Sequence, residues 1–140
     1  NRPLSFIMAD IDNFKSYNDR LGRPHGDIAL SEVASIIIGN CREIDIVARY
    51  GGEEFAIIMP GTDTDGARVV AEKLHKAILN HKFLGEKERR DQRISLSFGV
   101  SNYPKQALSA SKLIKKADEA LYQAKKEGKN RVCVNKTLSF

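Results

Sequence analysis

The sequence predicts an α+β domain built on one mainly antiparallel sheet with helices packed against it. Three observations favour this class. Short apolar runs, typical of strands, alternate along the chain with segments whose apolar residues recur at helical spacing. Two of the runs flank Gly51-Gly52, a hairpin signal, because glycine tolerates the positive φ of tight turns. The length of 140 residues, 41% of them hydrophobic, is sufficient for one hydrophobic core.

The N-terminal part is predicted to contain one strand and two helices. The continuous apolar run Leu4–Ala9 is typical of a buried strand. A short helix over 13–21 follows, with Asn13 at its N-cap and Gly22 as its terminator. A second helix is predicted over 27–40, since its apolar residues share one stripe: Leu30, Val33, Ile36 and Ile37.

A hairpin is predicted next, with strands over 44–50 and 55–59, and Pro60-Gly61 ends it. Thr62 with Asp65 resembles a capping box, which marks the start of a third helix. The apolar residues of that helix recur at helical spacing: Ala67, Val70, Ala71, Leu74, Ala77 and Ile78.

A polar loop over 85–92 precedes a strand over 94–100, whose alternating apolar residues predict a half-buried strand. The last helix begins at one of two serines, Ser109 or Ser111, and ends at Gly128. A short strand over 132–134 closes the order. This order resembles the split βαβ, ferredoxin-like pattern.

Acidic residues follow two of the predicted strands. Asp10 and Asp12 follow the first strand, and Glu53 and Glu54 are adjacent at the hairpin tip. Neighbouring like charges repel, so their placement indicates a cation between them. Carboxylates at the ends of neighbouring strands are what a Mg²⁺ site for phosphoryl chemistry needs.

The formal net charge is +5, and the basic residues concentrate in two segments, 86–93 and 112–131. A loop and a solvated helix face explain most of this charge, and a polyphosphate ligand would use some of it; no nucleic-acid partner is predicted. No apolar run approaches the roughly 18 residues of a membrane-spanning helix. Cys41 and Cys133 lack metal-ligand spacing and are expected to be reduced, buried thiols of a cytoplasmic domain, whether or not the parent protein is membrane-anchored.

The hairpin tip, Gly51-Gly52-Glu53-Glu54-Phe55, resembles the signature of the GGDEF family, the diguanylate cyclases, in its Glu variant. Further segments match the family in order and spacing over nearly all of the chain: Asp10-Ile11-Asp12-Asn13-Phe14-Lys15, Asn18-Asp19, Gly26-Asp27, Arg49-Tyr50, Ser97-Phe98-Gly99-Val100, 117–125 and Gly128-Lys129-Asn130-Arg131. The resemblance implies one cyclase domain over 1–140, with a core similar to the palm of nucleotidyl cyclases and polymerases. It also implies condensation of two GTP into cyclic di-GMP and two pyrophosphates, in a head-to-tail homodimer whose domains each hold one GTP.

For catalysis, the resemblance implies Mg²⁺, or alternatively Mn²⁺, with three ligands: the Asp10 carboxylate, the Ile11 carbonyl and the Glu53 carboxylate. Glu53 is also implied to accept the proton of the 3′-hydroxyl, and Glu54 to lie beside the metals and phosphates. Lys15 is implied to stabilise transition-state charge. Asp12 either supports the metals or caps the following helix.

Asn18 and Asp27 match the pair that reads guanine in this family. A carboxylate accepts from the guanine N1–H and amino group, which adenine does not offer, so GTP is expected over ATP. Asp27 is also a candidate N-cap of the second helix. The chain departs from the family at Arg23, where histidine is usual; His25 lies two positions away, and Arg23 is expected to change base contacts or KM without abolishing activity.

The phosphates are implied to lie against a bare backbone and two lysines. Gly51 and Gly52 have no side chains, so the nucleotide can come close to the main chain. Lys125 and Lys129 match the basic positions that hold the terminal phosphates.

Arg42-Glu43-Ile44-Asp45, shortly before the hairpin tip, matches the inhibitory Arg-x-x-Asp site of the family, which binds the product cyclic di-GMP. Arg42 is implied to grip a phosphate or the guanine Hoogsteen edge, and Asp45 to take the Watson–Crick edge. Non-competitive product inhibition through dimer cross-linking follows, with Lys73 or Arg68 as a second basic contact.

Domains of this family usually begin with a helix carrying Asp-x-Leu-Thr-Gly-Leu that connects to a sensor or receiver domain. The present sequence begins just before the first strand, and an upstream sensor or receiver domain is expected. Two alternatives stay open. One is an inert domain that binds cyclic di-GMP, which the intact hairpin tip disfavours; the other is a cyclase of altered base choice, which Asp27 disfavours.

Overall fold

The computed structural model describes residues 2–83 and 93–136. Its elements follow the chain in this order: β1 (Leu4–Ile11), α1 (Phe14–Leu21), α2 (Arg23–Gly39), β2 (Ile46–Arg49), β3 (Glu54–Pro60), α3 (Thr64–Asn80), β4 (Leu96–Tyr103), α4 (Ala110–Lys126) and β5 (Val132–Val134). The predicted α+β class is confirmed. The polar loop predicted over 85–92 lies outside the described residues, as does most of the basic segment 86–93.

The sheet has the strand order β2-β3-β1-β4-β5, so β1 lies at its centre. β1 pairs antiparallel with β3 and β4, β2 pairs antiparallel with β3, and β5 runs parallel to β4. In this register Asp10 lies opposite Glu54 on one side and Ser97 on the other. The acids of the first strand and of the hairpin tip therefore meet at one end of the sheet.

Helices cover both faces of the sheet. One face packs with α1, α2 and α3 around a core that includes Ile7 and Phe98. The other face packs with α4 around Phe6 and Met8. Although its alternation predicted a half-buried strand, β4 is buried on both faces because α3 and α4 pack on it from opposite sides.

The contact of α4 with the sheet is closest at Gly99. A Cβ there would lie 2.2 Å from the carbonyl oxygen of Ala117 and 2.3 Å from the nitrogen of Leu121, so a larger residue would push the helix off the sheet. This close packing brings the last turn of α4, with Lys125, to the end of β1.

The α1–α2 region differs from the prediction in two details. Asn13 occupies the N-cap position of α1 without a capping hydrogen bond from its side chain, whereas Gly22 ends the helix with a φ of 91°, as predicted. Helix α2 begins at Arg23 because Pro24 is compatible with a first helical turn. Asp27 therefore lies inside α2, and the N-cap alternative for it is wrong.

The two long C-terminal helices are capped by acceptor side chains. Asp63 caps α3, and its carboxylate accepts from the nitrogen of Gly66 at 2.8 Å, so the capping box predicted at Thr62 is wrong. Ser109 caps α4 and is the correct one of the two predicted serines. No helix within the described ranges combines the length and apolar character that crossing a bilayer requires.

Both cysteines are free thiols. Cys41 and Cys133 are half-buried rather than fully buried, and burial is the main cause that raises the pKa of each thiol.

Candidate active site

Three acidic side chains meet where β1 ends and β3 begins. Asp10 is only 7% exposed, and Glu53 and Glu54 are half-buried. Burial raises the pKa of all three carboxyls, and the charge of Asp10 raises the pKa of Glu53 and Glu54 further. The fold thus concentrates negative charge at one end of the sheet, at a cost in free energy.

Lys125 supplies positive charge to this acidic cluster. Its Nζ donates to Oδ2 of Asp10, forming an ion pair between residues 115 apart in sequence. The other oxygen of Asp10, Oδ1, is buried and has no hydrogen-bond partner among the described residues. Leaving such an oxygen unpaired is costly, so a cation or a donor that reached it would stabilise the site.

The acidic cluster fits a hard divalent cation that is shared with a substrate. Within residues 2–83 and 93–136, no three acidic, histidine or cysteine side chains converge to hold a metal by themselves. Mg²⁺ ordinarily takes one or two protein carboxylates and fills its remaining positions with water and substrate phosphates. Asp10, with its unpaired oxygen, and Glu53 provide that number. Ile11 follows Asp10 and is buried, and its nitrogen donates to the carbonyl oxygen of Glu53 at 3.2 Å.

Asp12 has a structural role that the sequence did not predict. One of its oxygens accepts from Ser97 Oγ at 2.6 Å, and the other accepts from Ser95 Oγ at 2.8 Å and from the nitrogen of Asn130 at 3.0 Å. These bonds fasten β4 and the turn after α4 to the end of β1. In the described chain, both oxygens are directed to these partners rather than to the first turn of α1.

In the structure, the hairpin tip that joins β2 to β3 comprises residues 50–53, and Glu54 and Phe55 of the predicted tip belong to β3. Neither Gly51 nor Gly52 has a positive φ, so the conformational reason predicted for these glycines is wrong. A Cβ on Gly52 would meet no atom within 4 Å, and one on Gly51 would meet Glu54 at an ordinary contact distance of 3.5 Å. Space at the backbone, rather than its conformation, is what the glycines provide, and a ligand can approach there.

Arg49 braces this tip from β2. Its Nε donates to the carbonyl oxygens of Gly51 at 3.2 Å and Gly52 at 3.1 Å, and its Nη2 donates to Gly52 at 2.5 Å. Sequence reasoning noted Arg49 only as part of a matching segment. Because its partners are main-chain carbonyls, no side-chain pattern announces the contact.

The predicted guanine pair lies where α1 meets α2. Asn18 packs so closely on Gly26 that a Cβ there would be 1.7 Å from Asn18 Oδ1. This oxygen is buried and lacks a hydrogen-bond partner in the described structure. Asp27, the next residue of α2, is exposed and lines a cavity of about 320 Å³ between α2 and the hairpin. The other lining residues are mostly apolar: Leu30, Ser31, Ala34, Ile38, Val47, Arg49 and Phe55.

Basic residues surround the start of α1. Lys129 Nζ donates to Asn13 Oδ1 at 2.7 Å, so the turn after α4 contacts the residue before α1. Lys15 in the first turn of α1 is exposed, and its side chain forms no hydrogen bond or ion pair with the described residues. With Lys125 on Asp10, the two lysines predicted to hold the terminal phosphates and the catalytic candidate Lys15 lie around one end of the sheet. Arg23 is exposed at the start of α2, and within the described ranges it pairs with no side chain of the site.

Asp118 of α4 is a residue that sequence reasoning missed. Burial raises its pKa, and its charge raises the pKa of Glu54, so it adds a fourth acid to the region. Its place in the segment 117–125 was the available signal, but only the packing of α4 on the sheet shows which residue it faces.

Arg42 and Asp45 lie at the opposite end of the sheet. Arg42 Nη2 donates to Asp45 Oδ1 at 2.7 Å and to the carbonyl oxygen of Pro60, the residue opposite Leu4 in the sheet. Hydrogen bonding to Asp45 raises the pKa of the guanidinium. The Asp45 side chain is 1% exposed, whereas that of Arg42 is 49% exposed. A ligand therefore has access to Arg42, but would reach the Asp45 carboxylate only by displacing the guanidinium.

Comparison with known proteins identifies the family of the chain. The family model for the GGDEF domain of diguanylate cyclases matches residues 1–131. Diguanylate cyclase A of Treponema denticola is 41% identical over 133 residues, which cover 95% of this chain but only 35% of that relative. A structure of the active GGEEF domain of a diguanylate cyclase from Vibrio cholerae superimposes with a TM-score of 0.88 at 33% identity, covering 98% of this chain and 85% of that one. The GGDEF domain of DgcB from Caulobacter crescentus, in complex with c-di-GMP, gives a TM-score of 0.83 at 31% identity, with coverages of 95% and 78%. The chain therefore belongs to the GGDEF family, the domain family of the diguanylate cyclases.

Proposed function

We propose that this chain is a cyclase domain, spanning residues 1–140, that condenses two GTP into cyclic di-GMP and releases two pyrophosphates. The acidic cluster is the observation that carries the proposal. Asp10 keeps a buried oxygen without a described partner, while Glu53 and Glu54 stand beside it with raised pKa values. A divalent cation that arrives with a triphosphate would stabilise this arrangement.

Asp10, Glu53 and the carbonyl of Ile11 would hold Mg²⁺, or Mn²⁺ in its place. When bound, the metal supplies Lewis-acid chemistry, which lowers the pKa of the attacking 3′-hydroxyl and neutralises charge on the phosphates. Glu53 accepts the proton of that hydroxyl as the general base. Glu54 lies beside the reacting phosphates.

The lysines and the bare hairpin tip bind the triphosphate. Lys125 and Lys129 hold the terminal phosphates, and Lys15 stabilises the charge that develops in the transition state. The exposed backbone of Gly51 and Gly52 lets the phosphates lie against the hairpin. The lysines thereby bind the phosphates of the same nucleotide whose metal ion the acidic residues hold.

Asn18 and Asp27 select guanine. The Asp27 carboxylate accepts from the N1–H and amino group of the base, and the Asn18 oxygen provides a further acceptor at the same helix contact. The adjoining cavity of about 320 Å³ is within the range of small-ligand pockets. ATP would leave these acceptors unpaired, so GTP is preferred. Arg23, which stands where the family usually has histidine, changes base contacts or KM without abolishing activity.

Catalysis requires a homodimer. The chain offers one acidic cluster, whereas the reaction joins two nucleotides, each attacked by the 3′-hydroxyl of the other. Two chains that face each other head to tail would satisfy both attacks. Because the chain spans 35% of its Treponema relative, we also propose that an upstream sensor or receiver domain controls this pairing.

Arg42 would bind cyclic di-GMP as an inhibitor. Its half-exposed guanidinium suits a phosphate or the guanine Hoogsteen edge, and Asp45 orients it. Binding at this end of the sheet leaves the acidic cluster free, so inhibition would be non-competitive.

The test is incubation at high protein concentration with GTP and Mg²⁺, followed by chromatography of the products. We expect cyclic di-GMP from the parent chain and none from Glu53→Gln. If neither forms product, the assay is repeated with a dimerising domain fused to the N-terminus. Absence of product there, with cyclic di-GMP still bound in a manner that Arg42→Ala abolishes, would replace the proposal with that of an inert receptor.

A further inference from the structure

We propose that His75 is a positioning residue for Lys129, acting through the turn that carries this lysine. The inference rests on the proposed function, which gives Lys129 a triphosphate to bind. His75 belongs to α3, and it lies in no segment that matched the family signature.

The contact between His75 and the turn is direct. Nε2 of His75 lies 2.6 Å from Oδ1 and 3.0 Å from the main-chain oxygen of Asn130. Both atoms are acceptors, so Nε2 carries a proton and donates, whether the ring is neutral or protonated. The ring is itself held by an edge contact with Phe98 of β4, with centroids 6.4 Å apart.

The turn needs such a constraint because its backbone is strained. Lys129 and Asn130 are consecutive non-glycine residues with φ values of 66° and 52°. Left-handed backbone is unfavourable for residues with a Cβ, so it persists only where the surroundings fix it.

The remaining bonds hold the turn from the sheet and from α4, where the nitrogen of Lys129 donates to the carbonyl oxygen of Ala124 at 2.9 Å. The nitrogen of Asn130 donates to Asp12 Oδ2 at 3.0 Å and to Ser97 Oγ at 3.2 Å. Among the described residues, the carbonyl and side-chain oxygens of Asn130 have their hydrogen-bond partner in His75. The turn is therefore fixed by α3, by the sheet and by the end of α4, and Lys129 extends from it to Asn13 at the start of α1.

The experiment compares His75→Phe, which keeps an aromatic ring but loses the donor, with His75→Gln, which keeps a donor. His81→Phe is the matched control, since His81 lies at the end of the same helix and contacts Phe83 and Glu32 instead. Two quantities are measured: hydrogen exchange of the Asn130 amide without nucleotide, and the affinity for a non-hydrolysable GTP analogue with Mg²⁺ by calorimetry.

We expect His75→Phe to speed exchange at Asn130 and to weaken analogue binding by about three- to tenfold, the effect of one lost hydrogen bond. His75→Gln should restore most of both, and His81→Phe should match the parent chain. In a Lys129→Met background, His75→Phe should cause no further loss, because its effect passes through Lys129.

Unchanged exchange and affinity in His75→Phe would overturn the inference, as would a loss that adds fully to that of Lys129→Met. If the parent chain does not bind the analogue, the proposed function fails, and the positioning role fails with it. The exchange measurement still decides separately whether His75 fixes the turn.

Discussion

Replacement of Gly26 by alanine perturbs the proposed guanine site without removing a polar group. The new Cβ would lie 1.7 Å from Oδ1 and 2.8 Å from Cγ of Asn18, so the Asn18 side chain must rotate away. The fold should tolerate this, because the clash is with the end of a side chain and alanine favours a helix over glycine by about 0.5–1 kcal/mol. The base should lose one hydrogen bond, about 1 kcal/mol, which lowers GTP affinity about fivefold.

The assay combines calorimetric binding of a non-hydrolysable GTP analogue with denaturant unfolding. Gly39→Ala is the matched control, since it lies in the same helix and its Cβ would meet no atom within 4 Å. Asn18→Ala should reproduce the loss of affinity, and the double variant should lose no more than either single one. A Gly26→Ala chain that is folded and binds the analogue like the parent would refute the place of Asn18 in the site.

Three other perturbations test the acidic cluster and the proposed inhibitory site at Arg42. Lys125→Met removes the ammonium group that competes with a metal for Asp10. The affinity for Mn²⁺ without nucleotide, measured by calorimetry, should therefore rise about three- to tenfold, and the control Lys126→Met should leave it unchanged. A lower affinity in Lys125→Met would contradict this. Because burial raises the pKa of Asp10, this carboxyl keeps its proton to higher pH in the folded chain than in the unfolded chain. Its contribution to the free energy of unfolding is therefore complete below about pH 4 and is lost as the pH rises through the pKa of the folded state. In metal-free denaturant titrations, Asp10→Asn should therefore gain stability relative to the parent as pH rises, and a relative loss would be the opposite of what burial predicts. Arg42→Ala should remove inhibition by added cyclic di-GMP in initial-rate assays while the uninhibited rate is retained, and persistent inhibition would place the product elsewhere.

Local patterns predicted most of the fold because the periods of helices and strands are local properties. The apolar run from Leu4 and the stripe on α2 were sufficient to identify β1 and that helix. Boundaries were less predictable where two signals competed, as at α2, where Pro24 permits an earlier start than Asp27 suggests. The burial of β4 was missed because Gly99 packs against α4 and Ser97 is covered by Asp12 and the turn after α4, which is a property of the tertiary packing.

The candidate site was predictable as a set of residues but not as a set of contacts. Matching segments identified Asp10 and Lys125, yet their ion pair joins residues 115 apart, and no local signal links them. Asp12 was expected at the metal or at a cap because its chemistry allows both, whereas its partners are Ser95, just before β4, and Ser97 within β4. Gly51 and Gly52 were assigned a positive φ that they do not adopt, whereas the space at the backbone was expected because glycine has no side chain.

The free chain carries an electrostatic conflict at the end of β1, and this conflict bears on the order of binding. Asp10, Glu53 and Glu54 all have raised pKa values, so burial and mutual repulsion disfavour their charged forms. Lys125 pairs with one oxygen of Asp10 and leaves the other without a partner in the described structure. Apolar residues at these positions would give the folded chain a higher free energy of unfolding. The retained charges therefore indicate that this end of the sheet binds a ligand. If Lys125 moves to the phosphates of GTP, it vacates Asp10, and the metal must replace it. Metal and nucleotide should therefore strengthen each other's binding, since each removes a charge that opposes the other.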